Sequence, residues 1–165
     1  MIKKTKKITL IIPCHNEEKG LPNVFSEIPY KKLESAGYKL DVLVIDNNSS
    51  DKTAQIAKKF GAKVIFEPKK GKGNAVRTGF KNISKDTDFV VMIDGDNTYK
   101  PYEMLRLIEP LDSNFADVII GSRLEGRMNH NAMSFSHRFV NWAWTIFVRT
   151  FYVAKVKDTC TGFFA

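Results

Sequence analysis

Short apolar runs alternate with segments of mixed polarity along the whole chain. The runs cover residues 7–13, 39–46, 63–67, 89–94 and 116–122. Most of them are rich in β-branched residues, which is typical of strands buried on both faces of a parallel sheet. We therefore predict five buried strands.

Three of the segments between these runs have helical periodicity. They cover residues 49–62, 73–83 and 100–111. The middle segment, for example, places Val76, Phe80 and Ile83 on one stripe. Strands that alternate with helices indicate βαβ units, so we predict an α/β fold with a mostly parallel sheet flanked by helices on both faces.

The composition is that of an ordinary soluble domain with a basic surface. The chain has 165 residues, of which 43% are hydrophobic, and it shows no repeat or linker, so we predict a single domain over residues 1–165. The formal charge of +8 favours anionic partners. Cys14 and Cys160 have neither metal-binding nor redox spacing, which favours a reduced, cytosolic setting.

Polar and charged residues follow four of the predicted strands. The first, second, fourth and fifth strands are followed by "PCHNEE", "DNNSSD", "DGDNTY" and "GSRLEGR". In parallel sheets, ligands bind outside the carboxyl ends of the strands. We therefore expect one binding site at this edge.

Asp94 and Asp96 end the fourth strand and are separated only by Gly95. In extended backbone the two carboxylates point the same way, and two hard oxygen ligands suit Mg²⁺ or Mn²⁺. Gly95 allows the backbone to approach a ligand closely. The alternative is a solvated turn that ends the strand, which Asp-Gly also favours.

A lysine- and glycine-rich loop opens the second predicted helix. Lys69, Lys70 and Lys72 alternate there with Gly71 and Gly73. Lysines and exposed backbone N–H groups at a helix start favour an anion. The spacing is neither that of a Walker motif nor G-x-G-x-x-G, so a solvated basic turn stays open as the alternative.

The motifs "LIIPCHNEE", "VLVIDNNSSDKT", "GKGNAVRTGF", "VVMIDGDNTY", "VIIGSR" and "DTCTGFFA", in this order, resemble the family 2 glycosyltransferases with the GT-A (Rossmann-like) fold. Within that family they most resemble the polyprenyl-phosphate (dolichyl-phosphate) mannose, glucose or GlcNAc synthases. The resemblance implies transfer of a hexose or N-acetylhexosamine from a GDP- or UDP-sugar to a polyprenyl phosphate, with inversion and with Mg²⁺ or Mn²⁺. A lipid phosphate is already an anionic nucleophile, so a general base is dispensable.

The resemblance also assigns residues. It implies a nucleotide-sugar site made of Pro13, His15, Glu17, Asp46, Lys72, Asp94, Gly95 and Asp96. Asp94 and Asp96 match the metal-binding pair, while Arg123 and Arg138 match arginines that grip the acceptor phosphate, and these four form the expected catalytic set.

Three positions depart from the pattern of the family. His15 stands where relatives often have Tyr, so stacking on the base is expected to be kept and the hydrogen bond to differ. Asn47 stands where the family often has a second aspartate. Thr98 replaces a frequent metal-binding Gln, so metal coordination is expected to depend on Asp96 and the diphosphate.

The segment 132–154 is apolar and aromatic on more than one side, but Asn141 and Arg149 interrupt it, so it is too short to span a bilayer. It is either a core-packing helix or an interfacial helix with basic flanks. The interfacial alternative predicts a cytoplasmic protein peripheral on the inner face of a membrane. The motif ending in "TGFFA" is internal in the resembling family, so we expect a chain truncated at its C-terminus relative to that family.

Three other functions remain as alternatives. A family 2 transferase acting on a polysaccharide or a soluble glycoside would need an acidic base, for which Glu125 is the candidate. A sugar nucleotidyltransferase would show a glycine-rich loop after the first strand. A nucleic-acid-binding domain would cluster its lysines with aromatic residues, whereas here they scatter through most loops, so we expect no nucleic acid partner.

Overall fold

A parallel four-stranded sheet forms the centre of the computed structural model, which describes residues 5–121, 146 and 161–165. The strands are β1 (Lys6–Cys14), β2 (Tyr38–Asp46), β3 (Lys63–Phe66) and β4 (Phe89–Met92), in the order β3-β2-β1-β4. The helices are α1 (Leu21–Glu27), α2 (Tyr30–Ser35), α3 (Thr53–Lys59), α4 (Lys72–Lys81) and α5 (Met104–Asp112), the last preceded by a 3-10 turn at Pro101–Glu103.

Helices cover both faces of the sheet, as the sequence predicted. On one face Ile8, Leu10 and Ile12 of β1 pack with buried residues of α1, α2, α3 and α5. On the other face Ile11 and Ile45 pack with α4. Because successive side chains of a strand point to opposite faces, continuous apolar runs are needed to fill both layers.

The strand register brings the loops of the site to one edge. Cys14 of β1 pairs with Asp46 of β2, and Ile11 of β1 pairs with Met92 of β4. The segments that follow these three strands therefore begin at the same end of the sheet.

The predicted fifth strand, residues 116–122, takes a different form. Hydrogen bonds join Ile119 to Ala165 and Gly121 to Phe163, and Phe164 in turn pairs antiparallel with Met92 of β4. Residues 163–165 thus lie between β4 and residues 119–121. The apolar pattern marked the segment, but its partner was not evident from the sequence, since the bridged residues Ile120 and Phe164 are 164 − 120 = 44 positions apart.

Two helices and one side chain depart from the predictions. Helices α1 and α2 were not predicted, because each spans less than two turns and prolines interrupt the pattern. Phe80 was predicted on the inner stripe of α4, yet it is exposed and stacks on Phe164. Gly79 faces the sheet instead: a Cβ there would lie 2.7 Å from Ile11 Cγ2, so only glycine permits this close approach.

Several predictions concern residues outside the described ranges. Arg123, Arg138 and, except for Ile146, the segment 132–154 are among them. Within the described part of the chain, no helix combines the length and the apolar character needed to cross a membrane.

Candidate active site

A cleft of about 250 Å³ opens at the carboxyl ends of β1, β2 and β4. It is lined by Pro13, Cys14, His15, Glu17, Asn47, Lys72, Ala75, Asp94, Gly95 and Asp96. Seven of the eight predicted nucleotide-sugar residues are therefore together. A larger cavity of about 550 Å³, lined by Thr9, Asp41 and Lys63 among others, lies toward the amino ends of the strands, away from these groups.

Asp94 is paired with a lysine from the neighbouring helix. Lys72 is the first residue of α4, and its Nζ lies 2.6 Å from Asp94 Oδ1. The Lys72 side chain is 54% exposed, whereas that of Asp94 is 23% exposed. The ammonium group thus lies at the cleft opening, within reach of both the carboxylate and an anion that enters from solvent.

Asp96 is exposed and shapes its own loop. Its Oδ1 accepts a hydrogen bond from the Thr98 N–H at 2.8 Å. This bond closes a turn after the strand, the structure that the sequence left open as the alternative to a metal site. This bond uses one of the two carboxylate oxygens, so the turn and a ligand role are compatible. Gly20, before α1, packs on this loop, because a Cβ there would lie 2.8 Å from Asp96 Cα.

Gly95 is required by packing within the protein. A Cβ at this position would lie 2.7 Å from Cys14 Sγ and 3.3 Å from Glu17 Cγ. The sequence suggested that Gly95 admits a ligand, whereas the structure shows the strand-end thiol beneath it.

The carboxylates at this edge crowd one another. Partial burial raises the pKa of the Glu17 carboxyl, and the nearby charges of Asp96, Asp51 and Asp94 raise it further. Burial, followed by the charges of Glu17 and Asp46, raises the pKa of the Cys14 thiol far above its ordinary range. The thiol is therefore protonated and packs as a small apolar group.

Asn47 organises the lysine-rich loop, a role that sequence reasoning missed. It is 4% exposed; its Nδ2 donates to the carbonyls of Glu67 and Lys69, and its Oδ1 accepts from the Gly71 N–H at 2.7 Å. An aspartate here would lack the two N–H donors. The feature of the sequence that could have revealed this role is an amide side chain, which both donates and accepts hydrogen bonds, at the end of a buried strand.

His15 and Asp46, two further residues of the predicted nucleotide-sugar site, also contact backbone groups. His15 Nδ1 lies 2.8 Å from the Asn47 carbonyl oxygen. Asp46 is buried, does not line the cleft, and accepts a hydrogen bond from the Ser49 N–H at 3.1 Å.

The loops after β1 and β2 are fastened to each other. Asn16, in a left-handed conformation with φ 58°, donates from its N–H to Ser49 Oγ and accepts from the Ser50 N–H. The Glu17 N–H donates to Thr53 Oγ1 at 2.8 Å. These bonds fix the backbone that carries His15 and Glu17.

The donor set fits a divalent cation that shares its coordination with a phosphate ligand. Over residues 5–121 and 161–165, no three His, Cys, Asp or Glu side chains are arranged to enclose a metal ion. Mg²⁺ commonly takes one or two carboxylates and completes its shell with substrate phosphates and water. Asp94 and Asp96 at the mouth of a cleft match that arrangement.

Two curated proteins similar to this chain come from Shigella flexneri and Pyrococcus furiosus. Protein RfbJ of Shigella flexneri is 40% identical over 118 residues, which cover 72% of this chain and 86% of that protein. The dolichol-phosphate mannosyltransferase of Pyrococcus furiosus is 34% identical over 167 residues, covering 96% of this chain and 46% of its own length. Apart from RfbJ, the chain spans about half the length of such relatives, or less.

Solved structures show the same fold. Glucosyl-3-phosphoglycerate synthase from Mycobacterium tuberculosis, in complex with phosphoglyceric acid, superposes with a TM-score of 0.71 at 20% identity, over 96% of this chain and 56% of that one. The same enzyme with Mn²⁺, UDP-glucose and phosphoglyceric acid gives a TM-score of 0.70 at 21% identity, over 96% and 55%. The sequence profile described as "Glycosyl transferase family 2" matches residues 9–165. The fold and nearly the full length of the sequence thus agree, and the chain belongs to glycosyl transferase family 2.

Proposed function

We propose that this family 2 glycosyltransferase moves a hexose or N-acetylhexosamine from a GDP- or UDP-sugar to a polyprenyl phosphate, with Mg²⁺ or Mn²⁺ as cofactor. The observation that carries the donor half is the cleft in which Asp94, Asp96, Glu17 and Lys72 meet. A diphosphate and a divalent cation together match this mixture of carboxylates and one ammonium group.

The donor is bound, in this proposal, across the ends of β1 and β2. Pro13, His15 and Glu17, which line the cleft, contact the base and ribose, and the diphosphate extends towards Lys72 at the start of α4. Asp46, which the resemblance assigns to the base, does not line the cleft and orders the second loop through the Ser49 N–H. The loop 67–71 that leads to Lys72 is held by Asn47. The lysine is therefore presented to the phosphates from a defined backbone.

The metal is held by Asp94 and Asp96 through their carboxylate oxygens. When bound, it neutralises negative charge that develops on the departing diphosphate. Lys72 adds a second positive charge at the same edge and lies 2.6 Å from Asp94 Oδ1.

The acceptor half rests on the relatives and on the proposed arginines. The Pyrococcus furiosus protein, 34% identical over 96% of this chain, is named as acting on dolichol phosphate. We assign Arg123 and Arg138 to the acceptor phosphate and the segment 132–154 to a membrane surface. A guanidinium binds phosphate through two parallel hydrogen bonds, which lysine does not reproduce.

The donor is tested by thermal denaturation of the protein with UDP, GDP and the corresponding sugar nucleotides, each with and without Mn²⁺. A bound ligand raises the melting temperature by mass action, so one base should stabilise the protein and should do so more strongly with metal. Stabilisation by neither nucleotide under either condition would contradict the proposal.

The acceptor is tested by offering polyprenyl phosphate in vesicles, phosphoglycerate and a soluble glycoside to the protein with its cognate donor. Transfer should occur to the lipid phosphate, and Arg138→Lys should slow it although the charge is kept. Transfer only to a soluble acceptor would refute the lipid assignment and leave the donor assignment intact.

A further inference from the structure

The turn formed by residues 161–163 lies directly against the Asp94 carboxylate. A Cβ placed on Gly162 would lie 1.9 Å from Oδ2 and 2.4 Å from Cγ of Asp94. Cβ atoms essentially never approach other atoms within 3.0 Å. Any side chain at position 162 would therefore occupy the space that the carboxylate now fills.

Tyr99 holds this turn in place through a hydrogen bond and an aromatic contact. It is 7% exposed, and its hydroxyl oxygen accepts a hydrogen bond from the Gly162 N–H at 2.8 Å. Its ring packs on Phe163, with the centroids 5.8 Å apart. Thr161 donates to the Gly121 carbonyl at 2.7 Å and lies 3.3 Å from the Tyr99 hydroxyl. The turn is thus tied to the end of the motif that carries the aspartate pair.

Asp94 is consequently enclosed from two directions. Lys72 holds Oδ1, and the Gly162 backbone lies against Oδ2. A carboxylate confined in this way keeps one side-chain orientation, and groups that orient a metal ligand strongly affect metal affinity. Neither Tyr99 nor Gly162 is part of the donor site proposed above.

We propose that Tyr99 and Gly162 are positioning residues that set the orientation of the Asp94 carboxylate for its metal. The inference rests on the proposed function, because it takes Asp94 as a metal ligand. It gives a role to Tyr99 of "DGDNTY" and to Gly162 of "TGFFA", which lie 63 residues apart in the chain.

The main test is Gly162→Ala, followed by calorimetric titration with Mn²⁺ alone and then with the cognate nucleotide plus Mn²⁺. The added methyl should turn the carboxylate away and weaken Mn²⁺ binding by about tenfold or more, the usual effect of disturbing a group that orients a ligand. The clash is with side-chain atoms of Asp94 and not with backbone, and that side chain is 23% exposed, so the melting temperature without metal should change little.

Tyr99→Phe provides a second variant in case the alanine variant does not fold. It removes one hydroxyl and should weaken Mn²⁺ binding by about threefold, since one hydrogen bond is lost. The matched control is Tyr102→Phe, because Tyr102 is 55% exposed and should leave Mn²⁺ affinity unchanged. Equal effects of the two phenylalanine variants would overturn the role of Tyr99.

A double-mutant cycle with Asp94→Asn separates positioning from general damage. If Gly162 and Tyr99 act through Asp94, their substitutions should have no further effect on Mn²⁺ affinity in the Asp94→Asn background. Additive losses would overturn the inference.

A wrong metal assignment would give a different result from a wrong positioning role. If Asp94→Asn alone leaves Mn²⁺ and nucleotide binding unchanged, the metal assignment is wrong. The metal part of the inference falls with it, and a crystal structure of the Gly162→Ala variant decides the orientation part: an Asp94 carboxylate displaced from Lys72 supports a role of Gly162 in orienting it, and an unmoved one refutes that role.

Discussion

Charged side chains are found at both ends of the sheet, and they are paired differently at each end. At the amino end, Lys7 Nζ lies 2.8 Å from Asp41 and 3.0 Å from Asp86. Lys6 pairs with Asp112, which also accepts a hydrogen bond from the Tyr38 hydroxyl at 2.8 Å. Each of these carboxylates therefore has a cation beside it.

At the carboxyl end, carboxylates outnumber the cations that contact them within the described residues. Lys72 contacts Asp94, while Glu17 lies close to Asp94, Asp96 and Asp51. The contrast appears in the pKa values: hydrogen bonds from Ser84 and Lys7 lower the pKa of Asp86, whereas burial and neighbouring carboxylates raise that of Glu17. Paired charges suit a structural role, and crowded carboxylates suit a site that receives a cation.

The largest expected effect is on the rate of transfer. It is tested by substituting one aspartate at each end of the sheet. Asp96→Asn should lower the transfer rate by about 100-fold or more, as loss of a preorganised electrostatic group does. Asp86→Asn, at an exposed amino-end position, should transfer at the parent rate. The measurement is the initial rate with the cognate donor, and a parent-like rate for Asp96→Asn would remove the distinction between the two ends.

Lys72→Gln should separate the two ligands of the cleft. Nucleotide diphosphate should bind about tenfold more weakly without metal, because a charge-assisted hydrogen bond is lost. Mn²⁺ alone should bind more tightly, because a cation beside Asp94 is removed. Calorimetry measures both affinities, with Lys58→Gln, an exposed lysine of α3 outside the cleft, as control. If both affinities fall together, Lys72 has a structural role only.

Tyr38→Phe tests the amino end of the sheet, where the charges are paired. It should lower the free energy of unfolding by about 1.5 kcal/mol, the contribution of a hydrogen bond to a charged group, and leave transfer unchanged. Burial, aided by the bond to Asp112, raises the pKa of Tyr38 from 10.0 to about 12. The folded state then binds the proton more tightly, so the stabilisation is complete below pH 10.0 and is lost as the pH rises towards 12. Urea denaturation across this range measures it, and a pH-independent difference would contradict the assignment.

The smallest effect is expected for Glu17→Gln. Because the pKa of Glu17 is raised in the folded protein, the folded state binds more protons, and stability falls as the pH rises through and above the ordinary value of 4.5. The glutamine variant should therefore be more stable than the parent near neutral pH, by less than about 1 kcal/mol, since solvent still screens the partly exposed side chain. Below pH 4.5 the difference should vanish. The exposed Glu34→Gln is the control, and an identical pH profile in both variants would contradict crowding at Glu17.

Much of the fold followed from local patterns. The apolar runs predicted β1 to β4 within two residues at every end, because a strand buried on both faces must be apolar throughout. The short helices α1 and α2 were missed, since less than two turns gives too little periodicity. Phe80 was placed inside on the same reasoning, but the tight contact of Gly79 with Ile11 put it outside.

The sequence by itself determined the alternation of strands and helices, the family, and the edge at which the polar loops meet. The tertiary structure alone decided which groups contact each other there: Lys72 with Asp94, Asn47 with the loop before α4, and Gly162 with the Asp94 carboxylate. The physical reason is the distance along the chain over which each kind of interaction acts. Periodicity and turn propensities act over a few neighbouring residues, whereas each of these contacts joins residues at least 20 positions apart and exists only once the sheet has brought the strand ends together.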